Sequence, residues 1–263
     1  MNQFRALWAY RNFVLASIKG DLRGRFARSR LGALWFLLHP LAQAALFAII
    51  LSEVLAAKLP GVESKSGYAI FLLSGVAAWA LFAEIVTRCL TVFIDYAGAM
   101  KKIAFPRICL PIIVGGSALL NHVLLIGATL AVFLFMGHVP GWALLVLPIG
   151  MALIGIFAFG LGVLLGVFNV FARDVAQATG VVMQLWFWMT PIVYTANVLP
   201  AHVAWWVSFN PMTPLVQIYQ NALLYDRPPD WESLVTPAIV GGALFMLAFF
   251  VFRRASANLV DEL

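Results

Sequence analysis

Six hydrophobic stretches, at about 33–57, 69–93, 108–136, 142–170, 176–196 and 234–252, constrain this chain more than any other feature. Each is roughly 20 residues or longer, enough to cross a hydrocarbon core of about 30 Å at about 1.5 Å per residue. Lipid offers no water to backbone N–H and C=O groups, so each stretch must be helical. Of the 263 residues 63% are hydrophobic and 11% charged, which excludes a water-soluble domain of this size. The expected fold class is an all-α integral membrane protein, one transmembrane domain over 1–263 with six transmembrane helices.

The charges orient the spans. The stretch before the first span carries Arg5, Arg11, Lys19, Arg23, Arg25, Arg28 and Arg30. The same side receives Lys101, Lys102, Arg107, Arg173, Arg253 and Arg254, while the other side has Lys58, Lys65 and Arg227. Thirteen cations against three, with Arg88 inside a span, place both termini in the cytoplasm by the positive-inside rule. The net charge of +6 is thus a topology signal, and no nucleic-acid partner is expected. No signal peptide is expected, because no short apolar core is followed by a small-residue cleavage site. Cys89 and Cys109 flank a cytoplasmic connection and are expected as free thiols.

Three segments are neither plain loop nor span. Residues 1–24 are amphipathic, with Phe4, Leu7, Trp8, Leu15, Ile18 and Leu22 on roughly one helical face, interrupted by Arg11. Such a helix lies along the inner membrane surface, either as an anchor or as a gate or docking element at the mouth of a pore. IDYAGAMKKIAFPR (94–107) is helix-compatible and stopped by a proline; it reads as a loop, or as a short helix that fits a groove on a cytoplasmic partner. Residues 197–233 lie outside, with five prolines and apolar runs too short to span. VAWWV and TPLVQIYQNALLY read as two short helices dipping into the outer leaflet, as a gate or as packing.

Polar and aromatic residues inside the spans are the candidate functional groups. Glu84 and Arg88 stand four apart, in the favourable order for an intrahelical ion pair. Asn121 and His122 fall near the middle of the third span, placed to hydrogen-bond a neighbouring helix. The fifth span, VVMQLWFWMTPIVYT, carries Trp186, Phe187 and Trp188 well inside the hydrocarbon, with Gln184 nearby and Pro191 expected to kink the helix. Aromatic faces beside polar groups suit a sugar, and they also suit lipid packing. Gly162 and Gly166 in the fourth span, and Gly115 and Gly116 in the third, allow close helix packing. The scattered histidines form no metal-ligand set, so no metal site is expected. The sequence has no G-x-x-x-x-G-K-[ST] phosphate loop and no nucleophile–base constellation, so no catalytic residue is assigned. Energised work would draw on a partner or an ion gradient.

Several stretches together resemble the membrane permease subunit of ABC exporters for polysaccharides and polyol phosphates, of the O-antigen, capsule or teichoic acid type. They are RFARSRLGALWFLLHPLAQ (25–43), LLSGVAAWALFAEIV (72–86), MKKIAFPRICLPI (100–112), NVFARDVAQ (169–177), MTPIVYT (189–195) and FNPMTPLVQIYQNALL (209–224), in order along most of the chain. The resemblance implies a homodimer in the bacterial cytoplasmic (inner) membrane with two cytoplasmic ABC ATPase subunits on a separate chain. ATP and Mg would sit on those partners, and this chain would bind no cofactor. By the same resemblance, residues 95–105, with Asp95, Met100, Lys101 and Lys102, form the coupling helix. Residues 1–24 form the interface helix and 197–225 the external gate. Trp186, Phe187, Trp188 and Tyr194 line the path of a lipid-linked polysaccharide, and Arg25, Arg28 and Arg30 meet its pyrophosphate head or serve as positive-inside anchors. Two other readings remain: a permease of the same fold for small hydrophobic molecules or drugs, and an integral-membrane acyltransferase using His122 or Glu84.

Overall fold

The computed structural model describes residues 8–27, 34, 35, 38, 42, 65–102, 105–256 and 262. Arg28, Arg30 and nearly all of the expected first span lie outside the described residues, as does the side chain of Arg25. Among the described residues all regular structure is helical. The order is α1 (Arg11–Ala27), α2 (Lys65–Asp95), α3 (Ala97–Lys102) and α4 (Cys109–Phe135). A 3₁₀ turn (Trp142–Val146) leads into α5 (Leu147–Phe171), followed by α6 (Asp174–Met189) and a 3₁₀ turn (Ala196–Val198). Next come α7 (Ala201–Ser208), α8 (Met212–Gln220) with a π turn (Asn221–Tyr225), and α9 (Val235–Ala255).

Four helical stretches of the described residues are long and apolar enough to cross a membrane: Gly67–Asp95, Cys109–Phe135, Trp142–Phe171 and Val235–Ala255. They coincide with the second, third, fourth and sixth expected spans. The fifth differs. α6 has 16 residues and stops at Met189, short of the expected end at 196, and Pro191 ends the helix instead of kinking it. Thr190 precedes the proline and adopts extended backbone (φ −100°, ψ 134°), the conformation that the proline ring forces on its predecessor. At about 1.5 Å per residue α6 measures about 24 Å, less than the core thickness.

α5 is the central helix, with α2 and α9 packed along it. Hydrophobic driving force is weak between helices in lipid, so close backbone approach and interhelical hydrogen bonds hold them together. A Cβ at Gly162 would stand 2.8 Å from the Cβ of Cys89, and one at Gly166 would overlap the Cys89 carbonyl oxygen. On another face, a Cβ at Gly160 would meet the Phe245 backbone nitrogen at 2.6 Å. Asn169 Nδ2 donates to the Leu90 carbonyl (2.9 Å), adding a polar tie where the two backbones touch. Gly115 faces Phe159 of α5, and Gly116 leaves room for Ile18 of α1. Cys89 and Cys109 are buried free thiols.

Gly166→Ala therefore overpacks the α2–α5 contact and is expected to lower stability by about 1–3 kcal/mol. Gly127→Ala, where the new methyl meets nothing within 4 Å, is the control and loses none of it. Unfolding in mixed micelles compares the two; equal midpoints would remove the contact from the stability of the bundle.

Candidate functional site

The end of α6 lies at mid-membrane. Trp186 packs edge-on against Phe82 (centroids 5.2 Å apart) and Phe157 (6.1 Å), and each of these sits near the centre of its own span. A helix that ends there leaves its last carbonyls without intrahelical partners, at a depth where lipid supplies none. Each one finds a donor. The carbonyl of Trp186 accepts from Thr190 Oγ1 (2.8 Å) and that of Phe187 from Thr190 N (3.2 Å). The carbonyl of Trp188 accepts from Tyr194 Oη (2.9 Å) and that of Met189 from Asn210 Nδ2 (3.2 Å). Past the break, the Pro191 carbonyl accepts from Gln220 Nε2 (3.1 Å) and that of Val193 from Tyr68 Oη (2.7 Å).

Asn210 is the corner of this arrangement. Its Oδ1 accepts from the indole Nε1 of Trp186 (2.8 Å) and from Met212 N (3.0 Å). Its Nδ2 also donates to Thr190 Oγ1 (2.9 Å). Asn210 and Pro211 join α7 to α8, so the turn between these short helices is bolted to the broken end of α6. α8 continues from this corner, mostly buried. Tyr219 lies 2.9 Å from His122 Nε2 across to the middle of α4, sharing a hydrogen bond. Further out, His138 Nε2 donates to the Leu223 carbonyl (2.6 Å), and Asp226, in the left-handed region at φ 48°, accepts from Ala143 N (2.9 Å).

The candidate aromatic residues therefore divide. Trp186 and Phe187 pack inward, both edge-on to Trp79. Trp188 is 52% exposed, on the same open side as Val181, Val182 and Leu185. Tyr194 uses its hydroxyl to close the helix end. Gln184 is exposed.

A second polar group ties α1 to the bundle. Arg88 Nη1 lies 3.3 Å from Glu84 Oε1, and Nη2 lies 2.9 Å from Asp21 on α1. Glu84 Oε1 also accepts from Asn121 Nδ2 of α4 (2.9 Å). One cation thus stands between two carboxylates contributed by different helices, and such pairing lowers the cost of an ionisable group inside a span. Asp21 was missed by sequence reasoning, since nothing local singles out one acid on an amphipathic helix.

Of the expected 95–105, the described residues show α3 over Ala97–Lys102, and 103 and 104 lie outside the described residues. Asp95 is the last residue of α2 and accepts from Thr91 Oγ1 (2.7 Å), while Met100 packs on the core. Lys101 and Lys102 are exposed at the end of α3.

Residues 13–224 match the family described as "ABC-2 type transporter". This chain belongs to the ABC-2 type transporter family. The match runs from α1 through the π turn, and so includes the Asn210 corner. Three similar proteins carry the name "O-antigen export system permease protein RfbA". One from Klebsiella pneumoniae is 29% identical over 250 residues, covering 92% of each chain. A second from that organism is 26% identical over 254 residues, again 92% of each, and one from Myxococcus xanthus is 26% identical over 261 residues, 98% of each. An ABC-2 type transporter of this length is a multi-pass membrane protein and a transport permease, not an enzyme.

Asn210→Ala strips partners from Trp186 Nε1, Met189 O and Thr190 Oγ1 together, and is expected to cost roughly 2–4 kcal/mol of stability. Trp186→Phe removes a single donor and costs less. Unfolding midpoints in mixed micelles rank the two; an Asn210→Ala protein as stable as the parent would show that the corner contributes nothing.

Proposed function

We propose that this chain is the pore-forming transmembrane subunit of an ATP-driven exporter that carries lipid-linked polysaccharide, O-antigen-like or capsule-like, across the bacterial cytoplasmic membrane. The observation that carries this reading is the similarity to O-antigen export permeases over nearly the whole of both chains. Two subunits pair, because six helices cannot enclose a channel wide enough for a sugar chain. Both termini face the cytoplasm, as the distribution of Lys and Arg dictates.

The chain carries no phosphate loop, so ATP and Mg are held by two ATPase subunits on a separate chain. α3 and its flanks are the coupling element, with Lys101 and Lys102 presented to the partner. The α7–α8 segment is the external gate. Its support is the backbone break at Thr190–Pro191, since irregular backbone at membrane depth occurs where protein or a water-filled cavity covers it. Along α6 the sugar path uses the open side that carries Gln184 and Trp188, while Trp186 and Phe187 brace it from behind. Arg25, Arg28 and Arg30 receive the pyrophosphate head, for which a planar, permanently charged guanidinium is suited. A polymer of many sugars cannot be engulfed in one alternating-access cycle. Repeated strokes along an aromatic-lined path move it instead.

Deleting the gene and fractionating the glycans tests the function. Lipid-linked polysaccharide trapped in the cytoplasm with none at the surface is expected, and normal surface glycan without internal build-up would sink the reading. Trp188→Ala is expected to reduce export far more than it lowers the unfolding midpoint, since the ring is half exposed and meets Phe187 edge-on. Undiminished export by that variant would take Trp188 out of the path.

A further inference from the structure

α4, α5 and α9 enclose a groove of about 590 Å³ whose walls are almost entirely apolar. That volume lies within the ~300–1,000 Å³ of small-molecule sites. It is lined from Ile108 to Leu119 on α4 and its approach, from Met151 to Val163 on α5, and from Phe245 to Phe252 on α9. The α5 wall is about 18 Å long by helical rise, close to one leaflet of a ~30 Å core. The inner end is marked by Ile108 and Phe252, next in sequence to Arg107 and Arg253. Arg253 lies over the ring of Phe249, itself a lining residue, with its guanidinium carbon 5.9 Å from the ring centre. Among the described residues neither Arg107 nor Arg253 meets a carboxylate.

We propose that this groove is a binding site for an anionic diacyl phospholipid of the inner leaflet, with one acyl chain between α4, α5 and α9 and the phosphate at Arg107 and Arg253. Two features choose this occupant over a partner helix. Its α4 and α9 walls occupy the halves of those helices that end beside Arg107 and Arg253, and a length of about 18 Å suits a single acyl chain. Its cytoplasmic end presents cations that have no counter-ion among the described residues, the arrangement by which basic pockets between transmembrane helices hold anionic head groups. Arginine matches a phosphate in geometry as well as charge. The candidate export path follows α6, on other helices, so the two readings stand or fall separately.

The permease reconstituted in mixed phosphatidylcholine–phosphatidylglycerol bilayers, then released into detergent for native mass spectrometry, reports the lipids it retains. The parent is expected to retain phosphatidylglycerol in preference to phosphatidylcholine. Arg107→Gln with Arg253→Gln lowers that preference about fivefold per arginine removed. Gly155→Leu places a side chain into the open space of the groove and lowers retention of both lipids. Equal retention of the two lipids by the parent, or unchanged retention in both variants, overturns the proposal. So does a photoreactive phenylalanine analogue at Leu119 that crosslinks to residues 33–57 of the chain instead of to lipid, because the first span would then own the groove.

Discussion

In hydrocarbon every peptide group must find its partner within the protein, and the end of α6 shows what that demand does to a fold. The helix stops at mid-membrane, so the carbonyls of Trp186, Phe187, Trp188 and Met189 need donors from outside its own ladder. Thr190, Tyr194 and Asn210 supply them. Leaving one such group unsatisfied costs about 1–3 kcal/mol, so the set as a whole fixes where α7 and α8 can sit. The position of Asn210 fixes the inner end of α8. Tyr219 and Gln220 at its other end then meet His122 and the Pro191 carbonyl. α8 is therefore held by polar bonds at both ends and by close packing between them.

Helix contacts of a different kind hold the rest. α5 lacks side chains where α2 and α9 touch it, so backbone meets backbone at Gly162, Gly166 and Gly160. Contacts of this type tolerate little change in spacing, because no flexible side chain is present to take up a shift. The bundle is rigid at these crossings, whereas α7, with Trp205, Trp206 and Phe209 exposed, has few neighbours among the described residues.

Four of the six expected spans coincide with long apolar helices to within a few residues. The expected 108–136 is observed as Cys109–Phe135 and the expected 234–252 as Val235–Ala255. Hydropathy is a property of a run of residues, so it survives ignorance of every long-range contact. The Gly162–Gly166 contact with α2 was legible for the same reason, as small residues one turn apart, whereas Gly160, where α9 meets α5, was not singled out. The outcome at Pro191 was not legible. A proline in a span kinks a helix when nearby groups re-satisfy the freed carbonyls and ends it when the donors come from elsewhere. Here Asn210 is about twenty residues away in sequence. The division between Trp186 and Trp188 follows from that same bond, since the indole that reaches Asn210 is withdrawn from the open side. The partner of Arg88 was half legible: Glu84 lies one turn away, whereas Asp21 lies 67 residues back.

α2 continues into α3 with almost no slack, because Tyr96 N bonds the Val92 carbonyl and Met100 N bonds that of Tyr96. Its tightest contact is at Cys89, against Gly162 and Gly166. Treated as a stiff rod resting on that fulcrum, α2 has a short arm of about 9 Å to Asp95 and a long arm of about 36 Å to Lys65. A displacement at the Asp95 end is thus magnified about fourfold at the Lys65 end. There Tyr68 Oη donates to the Val193 carbonyl (2.7 Å), so a tilt of α2 carries directly to the backbone beyond Pro191.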